Sequence, residues 1–365
     1  MDPEVIAQMI KALNENYGNA SSIHQMGKKN RVLIEQARQT MGESIGASSD
    51  EIIITSGGTE SDNMALIKTA EKYSNQGKHI ISTTIEHPAV LEPLEYLKNK
   101  GFEITYLQPN TDGLISVKQV KEAIRPDTIL LSVIYGNNEL GTIQPIQEIG
   151  EMIQTFDHKI IFHTDAVQAY GILDIDVNKL AVDLLSVSAH KMNGPKGIGF
   201  LFIRKGLNIP SLLLGGAQEN QRRAGTENIP AILAFKKAIE INQENKKARY
   251  QYLQKYKKYF IESLEAEGID YSINGSIKES MPHILSLSFP RVTSELLLIQ
   301  LDLNGVAVSA GSACTAGSLE DSHVLMSVFG EEAEEVKHTI RFSFGITNQL
   351  EEIDQTVKLL KKFTN

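Results

Sequence analysis

The order of its short apolar runs most constrains what this chain can fold into. Seven β-rich runs stand at 51–56 (EIIITS), 79–85 (HIISTTI), 103–108 (EITYLQ), 129–135 (ILLSVIY), 159–163 (KIIFH), 183–188 (DLLSVS) and 198–203 (IGFLFI). Helical patterns follow most of the first five, at 59–73, 88–100, 116–124 and 145–156. Such alternation predicts an α/β fold, a mostly parallel seven-stranded sheet covered on both faces. Only a loop joins the last two runs, so one of them is expected to be antiparallel. A long helical stretch at 229–267, rich in Lys, Glu, Gln and Tyr, then bridges to a second unit. That unit mixes strands at 284–289 and 340–344 with helices at 293–303, 318–329 and 349–362, a smaller α+β domain. The expected division is a large domain at 15–245 and a small one at 246–365, with 1–14 packing on the small domain.

Composition narrows the function classes. The 365 residues are 41% hydrophobic and 22% charged, which permits a large core and excludes collagen, coiled coil and disorder. A net charge of −9 disfavours broad binding to nucleic acid or anionic membrane. No apolar run approaches the roughly 20 residues needed to span a bilayer. The opening MDPEVIAQ carries Asp2 and Glu4 and has no apolar core segment, so it does not read as a signal peptide. A cytoplasmic address is expected. One cysteine, Cys314, makes neither an intrachain disulfide nor a Cys-rich metal site. The nine histidines contain no HExxH, and His158 and His163 are five apart, so no metal is expected.

In an open α/β sheet, ligands bind beyond the carboxyl ends of the strands. Polar groups follow five of these runs: Gly57-Gly58-Thr59-Glu60-Ser61, Glu86-His87-Pro88, Asn137-Asn138-Glu139, Thr164-Asp165-Ala166-Val167-Gln168, and His190-Lys191. All five ends lie on one edge. The glycine-hydroxyl turn at a helix start suits a phosphate, or is a plain helix cap. It is not a Walker loop, and GPKGIG at 194–199 precedes a strand and reads as a tight turn. Asp165 and Lys191 each end an apolar strand, where a charge is costly. They form either a buried salt bridge or the two poles of a cofactor site. Pyridoxal phosphate needs such a pair, a lysine for covalent attachment and an acid for its ring nitrogen, together with a phosphate cradle. His87 stands where it would lie over the ring, or it caps the helix at Pro88. Cys314, within SAGSACTAGS, sits among small residues in a loop ahead of a helix, a setting for an accessible thiol.

At this point the residues resemble the cysteine desulfurases, of the class V branch of the fold-type I pyridoxal-phosphate transferases. SGGTESDN (56–63), TIEHPAVL (84–91), NNELGT (137–142), HTDAVQAYG (163–171), SVSAHKMNGPKGIG (186–199), RRAGTEN (222–228), SAGSACTAGSLEDSHVL (309–325) and IRFSFG (340–345) carry the resemblance over essentially the whole chain. It implies that Lys191 binds the cofactor covalently, Asp165 pairs with the ring nitrogen, and Gln168 bonds the ring oxygen. His87 stacks on the ring and assists proton transfer. Thr59, Ser188 and His190 hold the phosphate, and Thr226 reaches it from the partner subunit of a homodimer. Asn138 and Arg341 grip the substrate carboxylate, with Asn138 also beside the cofactor. Cys314 takes the sulfur of L-cysteine as a persulfide, leaving L-alanine, and hands it to protein acceptors for iron–sulfur cluster assembly or tRNA thiolation. The implications for Thr226, Asn138 and Arg341 rest on the resemblance alone. The longer form of the Cys314 loop resembles the type that serves several acceptors.

The chain also departs from the family pattern. A strand and an Ala-Thr-Thr-Pro-like turn usually precede the segment matching Asp2-Pro3-Glu4-Val5, where this sequence starts; that strand is expected to aid turnover. Asn19-Ala20 replaces the usual Asn-Pro, and the sequence ends at Asn365 without the longer tail by which some members engage a scaffold protein. Two other functions fit part of the pattern, a selenocysteine lyase and a non-catalytic cofactor-binding protein. Intact Lys191, Asp165 and Cys314 argue against the second.

Overall fold

The computed structural model describes residues 1–311 and 321–364. Each of the seven apolar runs forms a strand: β1 (Ile52–Thr55), β2 (His79–Thr83), β3 (Glu103–Leu107), β4 (Thr128–Ser132), β5 (Ile161–Asp165), β6 (Leu184–Ser188) and β7 (Gly199–Ile203). They make one sheet in the order β1-β7-β6-β5-β4-β2-β3. Pairing is parallel from β3 through β6. β7 is antiparallel to both its neighbours, β6 and β1, as the short loop before it requires. β1 thereby runs in the same direction as β2 to β6, so six strands end on one edge of the sheet, and the polar groups that follow β1, β2, β4, β5 and β6 in sequence collect there.

Successive side chains of a strand point to opposite faces. Ile52, Ile81, Leu131, Phe162, Leu185 and Phe200 face one core. Their neighbours Ile53, Ile80, Leu130, Ile161, Leu184 and Leu201 face the other. A slip of one residue in register would exchange the two sets.

Helices cover both faces. The helix after β1 starts at Gly58–Asn63, passes through a π-helical turn at Met64–Lys68 and ends as Thr69–Tyr73. Two helices precede β1, Pro3–Glu15 and Gln25–Glu43; no sequence expectation covered them as elements. Asp2 caps the first, its Oδ1 accepting the Glu4 N–H at 2.9 Å. Residues 1–14 were expected on the small domain. Instead Val5 packs with Ala234 and Ala238, in the first half of the long helix Ile229–Ala266. The Asp2 N–H bonds the Asn193 carbonyl at 3.1 Å.

That long helix has 38 residues and spans about 57 Å. Ile229, Ile232, Phe235 and Ile239 near its start enter the core of the large sheet. Tyr256, Phe260 and Leu264 near its end enter a separate core. The second core lies on an antiparallel sheet ordered β10-β9-β8, from β8 (Ser272–Ile273), β9 (Ile284–Ser288) and β10 (Thr339–Ser343). Helices Ser294–Asp302 and Leu350–Thr364 close it with Leu297, Leu301, Ile353 and Leu360. Phe260 packs 4.8 Å from Phe342, centroid to centroid. Truncating a fully buried phenylalanine of this kind costs about 3–5 kcal/mol.

β1 is an edge strand, and side chains satisfy its free edge. Glu219, 4% exposed, accepts the Ile54 N–H at 2.9 Å and both Arg38 terminal nitrogens, one at 2.7 Å. Arg38 and Arg222 donate in turn to the Ile52 carbonyl. Glu219, Asn220 and Gln221 all have φ between 50° and 64°, a left-handed run of three non-glycine residues. Such backbone persists only where surrounding contacts enforce it. The run leads directly into RRAGTEN.

Candidate active site

The strand ends enclose a cavity of about 200 Å³, lined by Gly58, Thr59, Asp62, His87, Ile134, Asn138, Asp165, Val167, Gln168, Ser188, His190, Lys191 and Arg341. Ten of the expected site residues, including Gly58, meet there. Thr226 is exposed and lines no part of it. Cys314 lies outside the described residues.

The turn after β1 is built by close approach. Gly57 has φ 148°. A Cβ on Gly58 would stand 2.7 Å from Val167 Cγ2. A Cβ on Gly57 would stand 3.6 Å from Ser188 Oγ, which itself hydrogen-bonds His190 Nδ1 at 2.7 Å. The start of a helix, a hydroxyl and an imidazole thus share one end of the cavity. Burial, with Lys191 and Lys196 adding, lowers the His190 pKa. Arg223 makes two bonds to Glu60 in this same helix, at 2.8 and 3.1 Å, tying RRAGTEN to the turn.

Asp165 ends β5, 4% exposed, its Oδ1 accepting the Val167 N–H at 2.8 Å. Burial pushes its pKa up to about 8 and the Asp62 charge adds to this, while the Val167 N–H, His163 and Lys191 pull it back. Lys191 follows β6 in the short helix Ala189–Met192. Gln168 Oε1 lies 3.4 Å from Nε2 of His283, a residue of the small domain that sequence reasoning missed. His283 is half-buried, and its pKa is lowered to about 3, by desolvation first and then by Arg249, Lys191 and other cations.

His87 does two jobs. Its Nδ1 accepts the Ala89 N–H at 3.0 Å, capping helix Pro88–Lys98. The ring is therefore the tautomer with its proton on Nε2. Burial, then Lys191 and His323, lower its pKa to about 4, so it is neutral at physiological pH.

Asn137 shapes the turn after β4. Its Oδ1 accepts the Glu139 and Leu140 N–H groups, both at 2.9 Å, and its Nδ2 donates to the Ile85 carbonyl at 3.0 Å. This presents Asn138 to the cavity. Arg341, on β10, donates from Nη1 to the Asn138 carbonyl at 2.8 Å, so the small domain reaches the site through this guanidinium as well as through His283. Glu86 and Glu139 stand beside it as buried acids. Glu86 accepts from Thr83 Oγ1 at 2.7 Å and from the Ile134 N–H at 2.9 Å. Glu139 accepts from Ser322 Oγ. Sequence reasoning noticed both acids and gave neither a role. Among the described residues no group of three or more His, Cys, Asp or Glu is placed to hold a metal ion. No helix there is long and apolar enough to cross a membrane.

The sheet order, the single antiparallel strand and the polar edge define a fold-type I transferase. Residues 1–356 match the aminotransferase class-V family model. The chain is 50% identical over 358 residues to "Putative cysteine desulfurase IscS 1" of Bacillus subtilis, covering 98% of this chain and 94% of that one. It is 46% identical over 359 residues to "Cysteine desulfurase IscS" of Dictyoglomus turgidum, covering 98% and 90%. Among solved structures it resembles a "NifS-like protein", with TM-score 0.92 and 34% identity over 99% of this chain and 95% of that one. Another, "SspA in complex with cysteine", gives 0.81 and 34% over 94% and 95%. The chain belongs to the aminotransferase class-V family, in its cysteine desulfurase branch.

Proposed function

We propose that the cavity holds pyridoxal 5′-phosphate, and that the chain moves sulfur from L-cysteine to the Cys314 thiol, giving L-alanine and a persulfide. The observation that carries this reading is the convergence of Lys191, Asp165, His87 and Arg341 on one cavity. The donor set fits the cofactor. A buried carboxyl suits a protonated ring nitrogen, and the glycine turn with Thr59, Ser188 and His190 suits a phosphate. Lys191 would hold the group covalently and Gln168 its ring oxygen. When bound, it supplies an electron sink that makes the substrate's carbon–sulfur bond cleavable.

The chain's own residues supply the rest. Arg341 and Asn138 orient the substrate carboxylate. His87 presents a proton at Nε2, because Nδ1 is committed to the Ala89 N–H. The Cys314 thiolate accepts the sulfur; an ordinary thiol, with pKa about 8.5, is ionised to a few per cent at neutral pH. The balance is L-cysteine plus thiol to L-alanine plus persulfide. Thr226, exposed and outside its own chain's cavity, supports a homodimer in which it completes the partner's phosphate site. Acceptors would be proteins of iron–sulfur cluster assembly or tRNA thiolation. The two cores joined by the long helix support a division near 245, with residues 1–14 counted in the large domain.

With L-cysteine and a thiol reductant, the protein should release alanine and sulfide in equal amounts. Lys191→Ala should release neither. Alanine without sulfide, or neither product from the wild type, would sink the reading.

A further inference from the structure

Asp62 brings a buried, unsatisfied carboxylate oxygen to the cavity wall. The residue is 1% exposed, and its Oδ1 has no hydrogen-bond partner among the described residues. It lines the cavity beside Asp165. Its nearest titratable neighbour is His163, whose Nε2 lies 3.5 Å from that oxygen. His163 is fully buried and fixed on both sides, Nδ1 by Ser132 Oγ at 2.8 Å and Nε2 by Ser186 Oγ at 3.0 Å. His163 and Asp165 are two apart on β5 and so share a face of the sheet. Asp62, His163 and Asp165 thus form one array under the closed end of the cavity.

We propose that Asp62 is a positioning residue for Asp165, supplying across His163 a second negative charge that holds the proton on a cationic ring nitrogen. This rests on the reading that the cavity takes pyridoxal phosphate.

The charged and titratable groups facing the array are few. Asp62 faces His163 and Asp165 from β5 and Glu86 from the end of β2, with the Ser186 hydroxyl on β6. Asp165 faces Lys191 as well. Burial raises Asp62 to about 7, against the pull of the Ser186 hydrogen bond. It carries a proton below that pH and a charge above it. Its effect on a neighbouring cation is therefore greatest on the alkaline side.

The test uses enzyme loaded with cofactor isotopically labelled at its ring nitrogen and titrates that nitrogen's NMR shift from neutral to alkaline pH. Asp62→Asn keeps the volume and removes the ionisable group. It should bind cofactor covalently and fold like the wild type. Its spectral transition should fall by about one pH unit, and it should lose cofactor faster at alkaline but not at neutral pH. Asp62→Ser removes the same charge should Asp62→Asn fail to fold. An unchanged or upward transition overturns the inference and leaves the cofactor reading standing. A wild-type protein that takes up no cofactor overturns both.

Discussion

At the residue scale, His87 combines a structural and a chemical task, and the two can be separated. Asparagine can also accept the Ala89 N–H as a helix cap. His87→Asn should keep stability within about 0.5 kcal/mol, yet lower kcat by roughly 10²–10⁴ through the lost proton at Nε2. His87→Ala should lose both, with about 1 kcal/mol from the cap. Urea unfolding beside steady-state rates checks this; equal loss of stability in both variants would contradict it. The buried acids give a pH signature. Burial raises Asp62 to about 7 and Glu86 and Asp165 each to about 8, so folded protein keeps protons that unfolded carboxyls release near pH 4. His87 and His163, lowered to about 4 chiefly by burial, act oppositely, but only below their ordinary 6.5. Between about 6.5 and 8 the acids dominate and stability falls as pH rises, with Lys257, lowered to about 8 by burial, opposing them only toward the upper end. The melting temperature of cofactor-free protein should fall across that window, and bound cofactor should remove the share of the fall that belongs to Asp165. A rise would contradict the account. Much of this was legible in sequence, because a charge at the end of an apolar strand is conspicuous. Asp62 and His283 were not. Each acquires its role from a partner more than a hundred residues away, and no local pattern records that.

At the element scale, the edge of β1 depends on one carboxylate. Glu219→Ala would leave the buried Arg38 with only the partly exposed Glu35 as an acid partner, a loss of about 3 kcal/mol. Glu219→Gln can still accept from the Ile54 N–H and one Arg38 nitrogen, and should lose clearly less. Equal losses by urea denaturation would show that the ion pair does not carry the edge. The seven strands and the long helix were legible because continuous apolar runs and helical apolar patterns persist over whole elements. β8 has two residues, too few to show a period. The left-handed turn at Glu219 reads as an ordinary polar loop; its burial comes from Arg38, 181 positions away. The packing of 1–14 was misplaced for a similar reason. An amphipathic helix announces an apolar face without naming its partner, and Val5 found the first half of the long helix.

At the scale of the whole molecule, the account needs two chains and one mobile atom, sulfur. A Lys191→Ala chain mixed with a Thr226→Ala chain yields heterodimers with one site free of both changes if Thr226 serves its partner. Activity should then exceed that of either variant alone. No gain on mixing would place Thr226 in its own chain's chemistry. The central claim is that sulfur leaves L-cysteine at the Lys191–Asp165 cavity and lands on Cys314. Mass spectrometry of the Cys314 peptide after brief exposure to L-cysteine, without reductant, tests it most directly. The account predicts one-sulfur mass increments on that peptide in the wild type and none in Lys191→Ala. A wild-type peptide of unchanged mass, while alanine accumulates, would contradict it.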